Sequence, residues 1–192
     1  MRLGGDRTPG RRGGTVKIAI GCDEAAYGLK EEIKRYLAEQ TAVPVEVEDF
    51  GVHSADPVDY PDIAVQVAEA VAEHRFERGI LLCGTGIGMA IAANKVRGIR
   101  AALCHDVYSA ERAQKSNDAQ ILTMGARVIG PELAKKVVEA WLRSHFAGGP
   151  SARKVQKIMQ IQDTYLRAAG AAQERVPSQD SVPSPKITSR TK

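Results

Sequence analysis

Five short apolar segments, separated by stretches with helical periodicity, constrain the fold of this chain more than any other feature. Four are almost uninterrupted apolar runs and the second alternates apolar with acidic residues; they cover residues 16–21, 43–50, 79–83, 99–104 and 119–125. Such runs are typical of strands buried on both faces of a parallel sheet. Helices that alternate with these strands pack on both sides of the sheet. The sequence therefore predicts an α/β fold with a five-stranded parallel sheet.

Between these segments, apolar residues recur at the spacing of one helix face. The predicted helices carry Leu29, Ile33, Tyr36 and Leu37; Ile63, Val67, Ala70 and Val71; the segment 89–95; Leu133, Val137, Val138 and Trp141 behind Pro131; and Val155, Ile158, Met159 and Leu166. A length of 192 residues with 43% hydrophobic residues suits one domain with a sizeable core.

The two ends of the chain differ from the middle in composition. Gly and Arg dominate residues 1–14, and Pro and Ser are frequent from residue 174 onward. Neither end offers apolar residues that would offset the entropy lost on ordering. We therefore predict disordered tails at 1–14 and 169–192, and one domain at 15–168 whose last helix covers about 151–168.

The distribution of charge argues against a nucleic-acid partner. The net charge is +4, but the tails contribute +3 and +2, which leaves −1 for the stretch between them. A nearly neutral domain with basic tails is a poor surface for nucleic acid.

Membrane and secretory signals are missing from the sequence. No run approaches the roughly 18 apolar residues of a membrane span, and no apolar stretch follows the basic N-terminus as it would in a secretory signal. The three cysteines, Cys22, Cys83 and Cys104, are odd in number and widely spaced. This fits reduced thiols in a cytoplasmic protein better than disulfides or a zinc site.

The ends of the predicted strands hold the residues best suited to chemistry. In parallel α/β sheets, ligands bind beyond the carboxyl ends of the strands. Those ends here fall at 21–23, 49–60, 83–85, 104–106 and Gly125.

The most informative segment is CGTGIGMAIAANK at residues 83–95. A buried strand ends at Cys83, and three alternating glycines lead into a helix. Backbone N–H groups left bare by glycine, together with a helix start, form an anion site. A cysteine beside them is favoured as thiolate. A thiolate next to an oxyanion site suits proton abstraction α to a carbonyl.

Two other interpretations of this segment stay open on the residues alone. Cys83 is also compatible with a structural cysteine in a tight turn. GTGIG differs from the dinucleotide fingerprint, because its third glycine comes one residue early and it follows the third strand. Asp106 nevertheless falls near the ribose-binding distance, so a nucleotide-binding module remains an alternative.

Several motifs together resemble the ribose-5-phosphate isomerase B family, which includes galactose-6-phosphate isomerase subunits. They are GCD at 21–23, DYPDIA at 59–64, CGTGIGMAIAANK at 83–95, IRAALCHDVYSAERA at 99–113 and NDAQILTMGARVIG at 117–130. The resemblance runs from about residue 16 to 168 in consistent order and spacing. It implies a Rossmann-like three-layer αβα fold, a role in carbohydrate metabolism, no metal or other cofactor, and a homodimer whose active site takes residues from both subunits.

The resemblance also implies roles for individual residues. Cys83 matches the general base, and Thr85 matches a hydroxyl that handles the sugar oxygens. The N–H groups of Gly84, Gly86, Ile87 and Gly88 match those that hold the enediolate. The implied substrate ligands are Asp23, Tyr60 and Asn117 for the sugar, and Arg127 and Lys154 for the phosphate. From the residues alone, Asp23 is equally well explained as a helix cap, Tyr60 as a packed side chain and Arg127 as a solvated charge.

Three departures from the family pattern concern ring opening and phosphate binding. The family's Asp-His pair is Asp23-Glu24 here, its His-Asn-Asp is Ser116-Asn117-Asp118, and its Gly-Gly-Arg-His is Gly148-Gly149-Pro150-Ser151. The histidine credited with opening the furanose ring is therefore absent, although His53, His105 or Glu24 remains as a substitute. Ser-Asn at this place also resembles the branch of the family that isomerises D-erythrulose 4-phosphate.

We expect an aldose–ketose isomerase of a short phosphorylated sugar. The substrate is either D-erythrose/D-erythrulose 4-phosphate, which the loss of the histidine favours, or the ribose/ribulose 5-phosphate pair of pentose phosphate metabolism. The alternative from another class is a non-catalytic module that binds a sugar phosphate or a nucleotide.

Overall fold

The computed structural model describes residues 14–39, 41–54 and 56–173. The strands are β1 Val16–Cys22, β2 Val45–Asp49, β3 Arg78–Cys83, β4 Ala101–Leu103 and β5 Ile121–Gly125. The helices are α1 Tyr27–Glu39, α2 Tyr60–Ala72, α3 Ile87–Ala93, α4 Val107–Asn117, α5 Pro131–Arg143 and α6 Pro150–Gln173. A short 3-10 turn at Glu24–Ala26 joins β1 to α1.

The five strands form one parallel sheet in the order β2-β1-β3-β5-β4. Every residue of the central strand β3 is buried, as its uninterrupted apolar sequence predicts. In the edge strand β2, the acidic residues Glu46 and Glu48 are exposed and the residues between them are partly buried. The predicted five-stranded parallel sheet is confirmed.

Helices cover both faces of the sheet. One face packs against α1, α4 and α5 around Ile33, Val137 and Trp141. The other face packs against α2 and α3 around Val67 and Met89. The Rossmann-like three-layer αβα fold is therefore also confirmed.

Strand β4 is shorter than the segment 99–104 that the sequence predicts, because side chains replace main-chain partners at both ends. The N–H of Arg100 donates to the side-chain oxygen of Gln120 at 2.9 Å. Beyond Leu103, the N–H of Gly125 donates to Nε2 of His105 at 2.9 Å. The regular pairing is thus confined to three residues.

Two helices differ from a simple apolar-face pattern. Helix α4 buries only Ala110, Ala113 and Gln114, so small residues rather than a large apolar face bring it close to the sheet. On α5, Leu133 is exposed although it was predicted to share the apolar face of Val137 and Trp141. Leu133 lies in the first turn of α5, at the amino end of the helix.

The chain divides into two compact units, one extending through Val155 and the other beginning at Gln156. Helix α6 extends to Gln173, five residues beyond the predicted start of the C-terminal tail. The remainder of that tail, and residues 1–13 of the predicted N-terminal tail, lie outside the described residues. Within the described ranges, no helix is long and apolar enough to cross a membrane.

Candidate active site

Cys83 lies at the carboxyl end of β3, where the chain turns sharply back over it. Its side chain is only 5% exposed, and its sulfur accepts a hydrogen bond from the N–H of Gly86 at 3.0 Å. An N–H donor aimed at sulfur stabilises negative charge there. The sulfur of Cys83 thus faces a main-chain donor of the glycine-rich turn that follows it.

Gly86 makes this turn possible. Its φ of +76° lies in the left-handed region, which residues with a Cβ rarely adopt. A Cβ on Gly86 would also lie 2.6 Å from the Leu103 side chain and 2.7 Å from the Met124 main chain. We call residues 84–88 the glycine loop, which ends in the first turn of α3.

The glycine loop carries further polar groups beside Cys83. The Thr85 hydroxyl accepts a hydrogen bond from the N–H of Ile87 at 3.3 Å. The first turn of α3 includes Gly88, and N–H groups in a first helical turn have no acceptor within the helix. The loop thus presents amide donors and one hydroxyl next to the sulfur.

Arg127 lies against the glycine loop from the end of β5. Its N–H donates to the carbonyl of Gly84 at 3.0 Å, and its guanidinium side chain lies 3.5 Å from where a Cβ of Gly84 would be. The side chain is otherwise exposed. A cation therefore stands at the edge of the predicted anion site.

Asp23 and Glu24 follow β1 on the same edge of the sheet. The N–H of Asp23 donates to the carbonyl of Leu82 at 3.2 Å, beside the end of β3. The Asp23 side chain is only 8% exposed, and its Oδ1 has no hydrogen-bond partner among the residues that the structure describes. Burial, followed by the negative charge of Glu24, raises the pKa of Asp23. The main-chain N–H groups of Ala26 and Ala25 oppose this rise, although no side-chain hydrogen bond caps the turn that follows.

Glu24 is directed to a different partner. Its carboxylate accepts a hydrogen bond from the N–H of Val58 at 3.3 Å, so it contacts the connection between β2 and α2.

Tyr60 begins α2 and packs on the glycine loop. A Cβ on Gly88 would lie 2.5 Å from Cζ of the Tyr60 ring, so the ring lies directly over the Cα of that glycine. The side chain is exposed on its other side. Tyr60 therefore borders the same site as Cys83.

Two further predicted substrate ligands, Ser116 and Asn117, lie away from the Cys83 site in the fold. Ser116 and Asn117 end α4, which begins just beyond β4 and runs back for 11 residues, a distance of about 16 Å at the helical rise. Asn117 then leads into β5 at its amino end. The structure thus brings together Asp23, Tyr60, Cys83, Thr85 and Arg127, but it places Ser116 and Asn117 at the opposite edge of the sheet.

Lys154 belongs with this second group. It is exposed near the start of α6. The segment before that helix is held to the end of α4, because the N–H of Ala147 donates to the carbonyl of Lys115 at 3.1 Å. The chain thus leads to Lys154 from the end of α4 that carries Ser116 and Asn117.

Asp106 does not serve the nucleotide alternative. Its carboxylate accepts a hydrogen bond from the N–H of Ser109 at 2.7 Å and caps α4. Hydrogen bonds from the hydroxyl and then from the N–H of Ser109 hold the pKa of Asp106 below its usual range.

Two further residues contact the site from behind: Thr123, which the sequence does not single out, and His105, which it offers only as a substitute for the absent histidine. The Thr123 hydroxyl donates to the carbonyl of Gly86 at 3.0 Å, and His105 accepts the N–H of Gly125. Burial lowers the pKa of His105, against the opposing effect of the Asp106 charge. Thr123 had a signal in the sequence, since it is the one polar residue of the buried segment ILTMG.

No group of three or more His, Cys, Asp or Glu side chains that could hold a metal ion occurs in the described part of the chain.

The comparison with known families decides which family this arrangement belongs to. The model of the family described as Ribose/Galactose Isomerase matches residues 18–158. The chain belongs to the ribose/galactose isomerase family. The resemblance of the sequence motifs to this family is thereby confirmed.

Individual family members are similar over most of their length. D-erythrulose-4-phosphate isomerase of Pectobacterium atrosepticum is 55% identical over 143 residues, which are 74% of this chain and 93% of that protein. Ribose-5-P isomerase B of Listeria innocua is 55% identical over 146 residues, or 76% of this chain and 97% of that protein. The structure of Clostridium thermocellum ribose-5-phosphate isomerase B superposes with a TM-score of 0.75 at 48% identity, covering 78% of this chain and 99% of that one.

Proposed function

We propose that this member of the ribose/galactose isomerase family interconverts a short aldose phosphate and its ketose through a cis-enediolate, with Cys83 as the base. Membership and the names of its relatives make the chain an aldose–ketose isomerase of a phosphorylated sugar. The observation that carries the assignment of the base is the 3.0 Å hydrogen bond from the N–H of Gly86 to the sulfur of Cys83.

The proposed reaction uses the groups around that sulfur. The Cys83 thiolate takes the C2 proton of the open-chain aldose, and negative charge develops on the carbonyl oxygen. The N–H groups of the glycine loop other than those bound to Cys83 and Thr85 stabilise this charge, which is an effective use of fixed N–H donors. The Thr85 hydroxyl contacts the two reacting sugar oxygens, O1 and O2, while a proton moves from O2 to O1. The Cys83 thiol then returns a proton to C1, which yields the ketose.

The rest of the substrate needs groups from both edges of the sheet. Asp23 has an unpartnered buried oxygen that suits a sugar hydroxyl, Tyr60 borders the sugar, and Arg127 suits the phosphate. Ser116 and Asn117 lie too far away to join this site within one chain, and the chain leads to Lys154 from their end of α4. We therefore propose that the enzyme is a homodimer in which the second copy supplies these three residues to each site.

Ser116 favours a four-carbon substrate. A pentose 5-phosphate exists largely as a closed furanose, so its isomerase benefits from an acid or base that opens the ring. In a tetrose 4-phosphate, O4 carries the phosphate and cannot close a five-membered ring. A site for the acyclic sugar therefore functions without a histidine at position 116. Two histidines are candidates to replace the absent one. The side chain of His53 is 74% exposed, and Nε2 of His105 already accepts the N–H of Gly125.

The names of the relatives leave this choice open. A D-erythrulose-4-phosphate isomerase and a ribose-5-P isomerase B are both 55% identical to this chain. Ser116 in place of the family's histidine favours D-erythrose/D-erythrulose 4-phosphate over ribose/ribulose 5-phosphate.

A comparison of kcat/KM for D-erythrose 4-phosphate and ribose 5-phosphate tests the proposal, with Ser116→His as the variant and Ser116→Ala as the matched control. We expect the wild type to prefer the tetrose phosphate, and Ser116→His to raise activity on ribose 5-phosphate while Ser116→Ala does not. A wild-type preference for ribose 5-phosphate that Ser116→His leaves unchanged would remove the argument about substrate length. Turnover of neither sugar would contradict the proposed reaction.

We further propose that the enzyme works in the cytoplasm. Cys22, Cys83 and Cys104 are all unpaired in this structure. Burial raises the pKa of both Cys22 and Cys104 to about 11, which suits thiols that stay reduced.

A further inference from the structure

Thr123 is a polar residue in the buried strand β5. Its side chain is fully buried, and in the parallel register it lies between Leu81 of β3 and Leu103 of β4. A valine of similar shape would fill this position without burying a hydroxyl, which is unfavourable unless it is hydrogen-bonded. Packing alone therefore does not account for a threonine here.

The Thr123 hydroxyl contacts the glycine loop at the residue that faces Cys83. It donates to the carbonyl of Gly86 at 3.0 Å. The N–H of the same glycine donates to the sulfur of Cys83 at 3.0 Å. Gly86 is thus held at its carbonyl by β5 while its N–H is held against the catalytic sulfur.

A glycine at this position needs such a contact. With a φ of +76° and no side chain, Gly86 has the widest conformational freedom of any residue type. Its carbonyl also accepts the N–H of Ala90 at 3.1 Å, but that bond lies within the short helix α3 and moves with it. The Thr123 hydroxyl is the contact that ties this carbonyl to the sheet.

Strand β5 also supports the loop one residue earlier. A Cβ on Gly125 would lie 2.6 Å from the Cα of Thr85, so the two main chains touch. Gly125 is held in turn by the hydrogen bond from its N–H to His105. The end of β5 therefore forms a fixed base beneath the loop.

We propose that Thr123 is a positioning residue, which holds the Gly86 N–H against Cys83 through the Gly86 carbonyl and so favours the thiolate form of that cysteine. The inference rests on the proposed function in so far as Cys83 is the base. Thr123 itself touches no substrate.

Two substitutions separate positioning from packing. Thr123→Val keeps the shape and removes the hydroxyl, whereas Thr123→Ser keeps the hydroxyl and removes a methyl group. The readouts are the melting temperature, kcat and KM, and the pH profile of Cys83 alkylation by iodoacetamide, mapped by peptide mass spectrometry. Cys22 and Cys104 stay protonated near neutrality, since the pKa of each is raised to about 11.

We expect opposite effects from the two variants. Thr123→Val should melt near the wild-type temperature, but its alkylation profile should move to higher pH and its kcat should fall about tenfold with KM within about twofold, since one hydrogen bond is lost. Thr123→Ser should melt at a lower temperature and keep the wild-type profile and kcat. If Thr123→Val does not fold, Thr123→Ala is held to the same expectation.

Thr41→Val is the matched control, because it removes a hydroxyl that donates to Glu139 at 2.8 Å rather than to the loop. It should leave both the alkylation profile and kcat unchanged. A wild-type profile and kcat in Thr123→Val would overturn the inference, as would a Thr123→Ser variant as impaired as Thr123→Val. A shifted profile with unchanged kcat would support the positioning role and contradict Cys83 as the base.

Discussion

Gly88 has no side chain at a point where a Cβ would lie 2.5 Å from the Tyr60 ring. Contacts below 3.0 Å cannot be tolerated by an aromatic ring that packs on the main chain, so any larger residue must displace Tyr60. The glycine is therefore required by a neighbouring side chain as well as by the anion site. At the scale of single residues, this links the position of a predicted sugar ligand to a residue 28 positions away in the chain.

Gly88→Ala should weaken substrate binding without unfolding the protein. We expect KM to rise by about tenfold, the effect of losing one or two substrate contacts, because the displaced Tyr60 no longer borders the sugar. Steady-state kinetics and the melting temperature measure the two effects. Gly28→Ala is the matched control, since a Cβ there meets nothing within 4 Å and alanine favours the α1 helix; equal effects of the two substitutions on KM would contradict the account.

The sequence identifies residues of the site when their backbone pattern is itself unusual. Cys83 and the glycine loop stand out because alternating glycines directly follow an apolar strand. The contact of His105 with Gly125 is not predictable, because it depends on a main-chain N–H of β5 that only the folded sheet brings near. Asp23 is intermediate: its position after β1 is predictable, whereas its unpartnered oxygen is a property of packing.

At the scale of elements, a buried charge cluster anchors the connection between β2 and α2, which leads to Tyr60. The Lys30 amine is fully buried and donates to both carboxylate oxygens of Asp49 at 2.8 Å and to the carbonyl of Val52. Lys34 also donates to Asp49, at 2.7 Å. Burial alone would raise the pKa of Asp49, but the hydrogen bonds from Lys30 and Lys34 hold it below its usual range.

Lys30→Met should destabilise the protein far more than Lys34→Met. Removing the buried amine leaves the Val52 carbonyl without this donor and Asp49 with Lys34 and the Gly51 N–H, at a cost of about 3 kcal/mol, the lower end for breaking a buried pair. The Lys34 side chain is 32% exposed, and loss of such a pair costs about 0.5 kcal/mol. Urea denaturation of both variants measures the difference; similar free energies of unfolding would show that the buried amine does not anchor the connection.

The sequence predicts that the strands and most of the helices exist, but it predicts where they begin and end less well. All five strands lie within the apolar segments or within one residue of them, because a strand buried on both faces must be apolar along its length. The bounds of β4 were not predictable, since the side chains of Gln120 and His105 replace main-chain partners at its two ends. Helix α4 also escaped the apolar pattern, because alanines form its buried face.

At the scale of the whole molecule, the predicted substrate ligands fall into two groups at opposite edges of the sheet. No arrangement of one chain joins Cys83 to Asn117, because α4 separates the two edges. The family resemblance implies a shared site, and the separation of the two groups is a physical reason to propose one. One chain does not predict in detail the contact of the proposed dimer.

Complementation between two inactive variants tests the shared site. Co-expression of Cys83→Ser and Asn117→Ala with different affinity tags should restore activity to about a quarter of wild type per chain, since half of the dimers are mixed and each mixed dimer holds one intact site. Each variant expressed alone is the control. Purified mixed dimers that are no more active than the single variants would contradict the proposed dimer site.

The central claim is that the Cys83 sulfur moves the proton, and kcat of Cys83→Ser tests it most directly. Serine is nearly isosteric and keeps a polar atom near the Gly86 N–H, but its hydroxyl is not ionised near neutrality. With circular dichroism and melting temperature as controls for folding, we predict that kcat falls by at least about 100-fold, the lower end of what general-base catalysis contributes. A folded variant that keeps more than about a tenth of the wild-type kcat would contradict the role of Cys83 as the base.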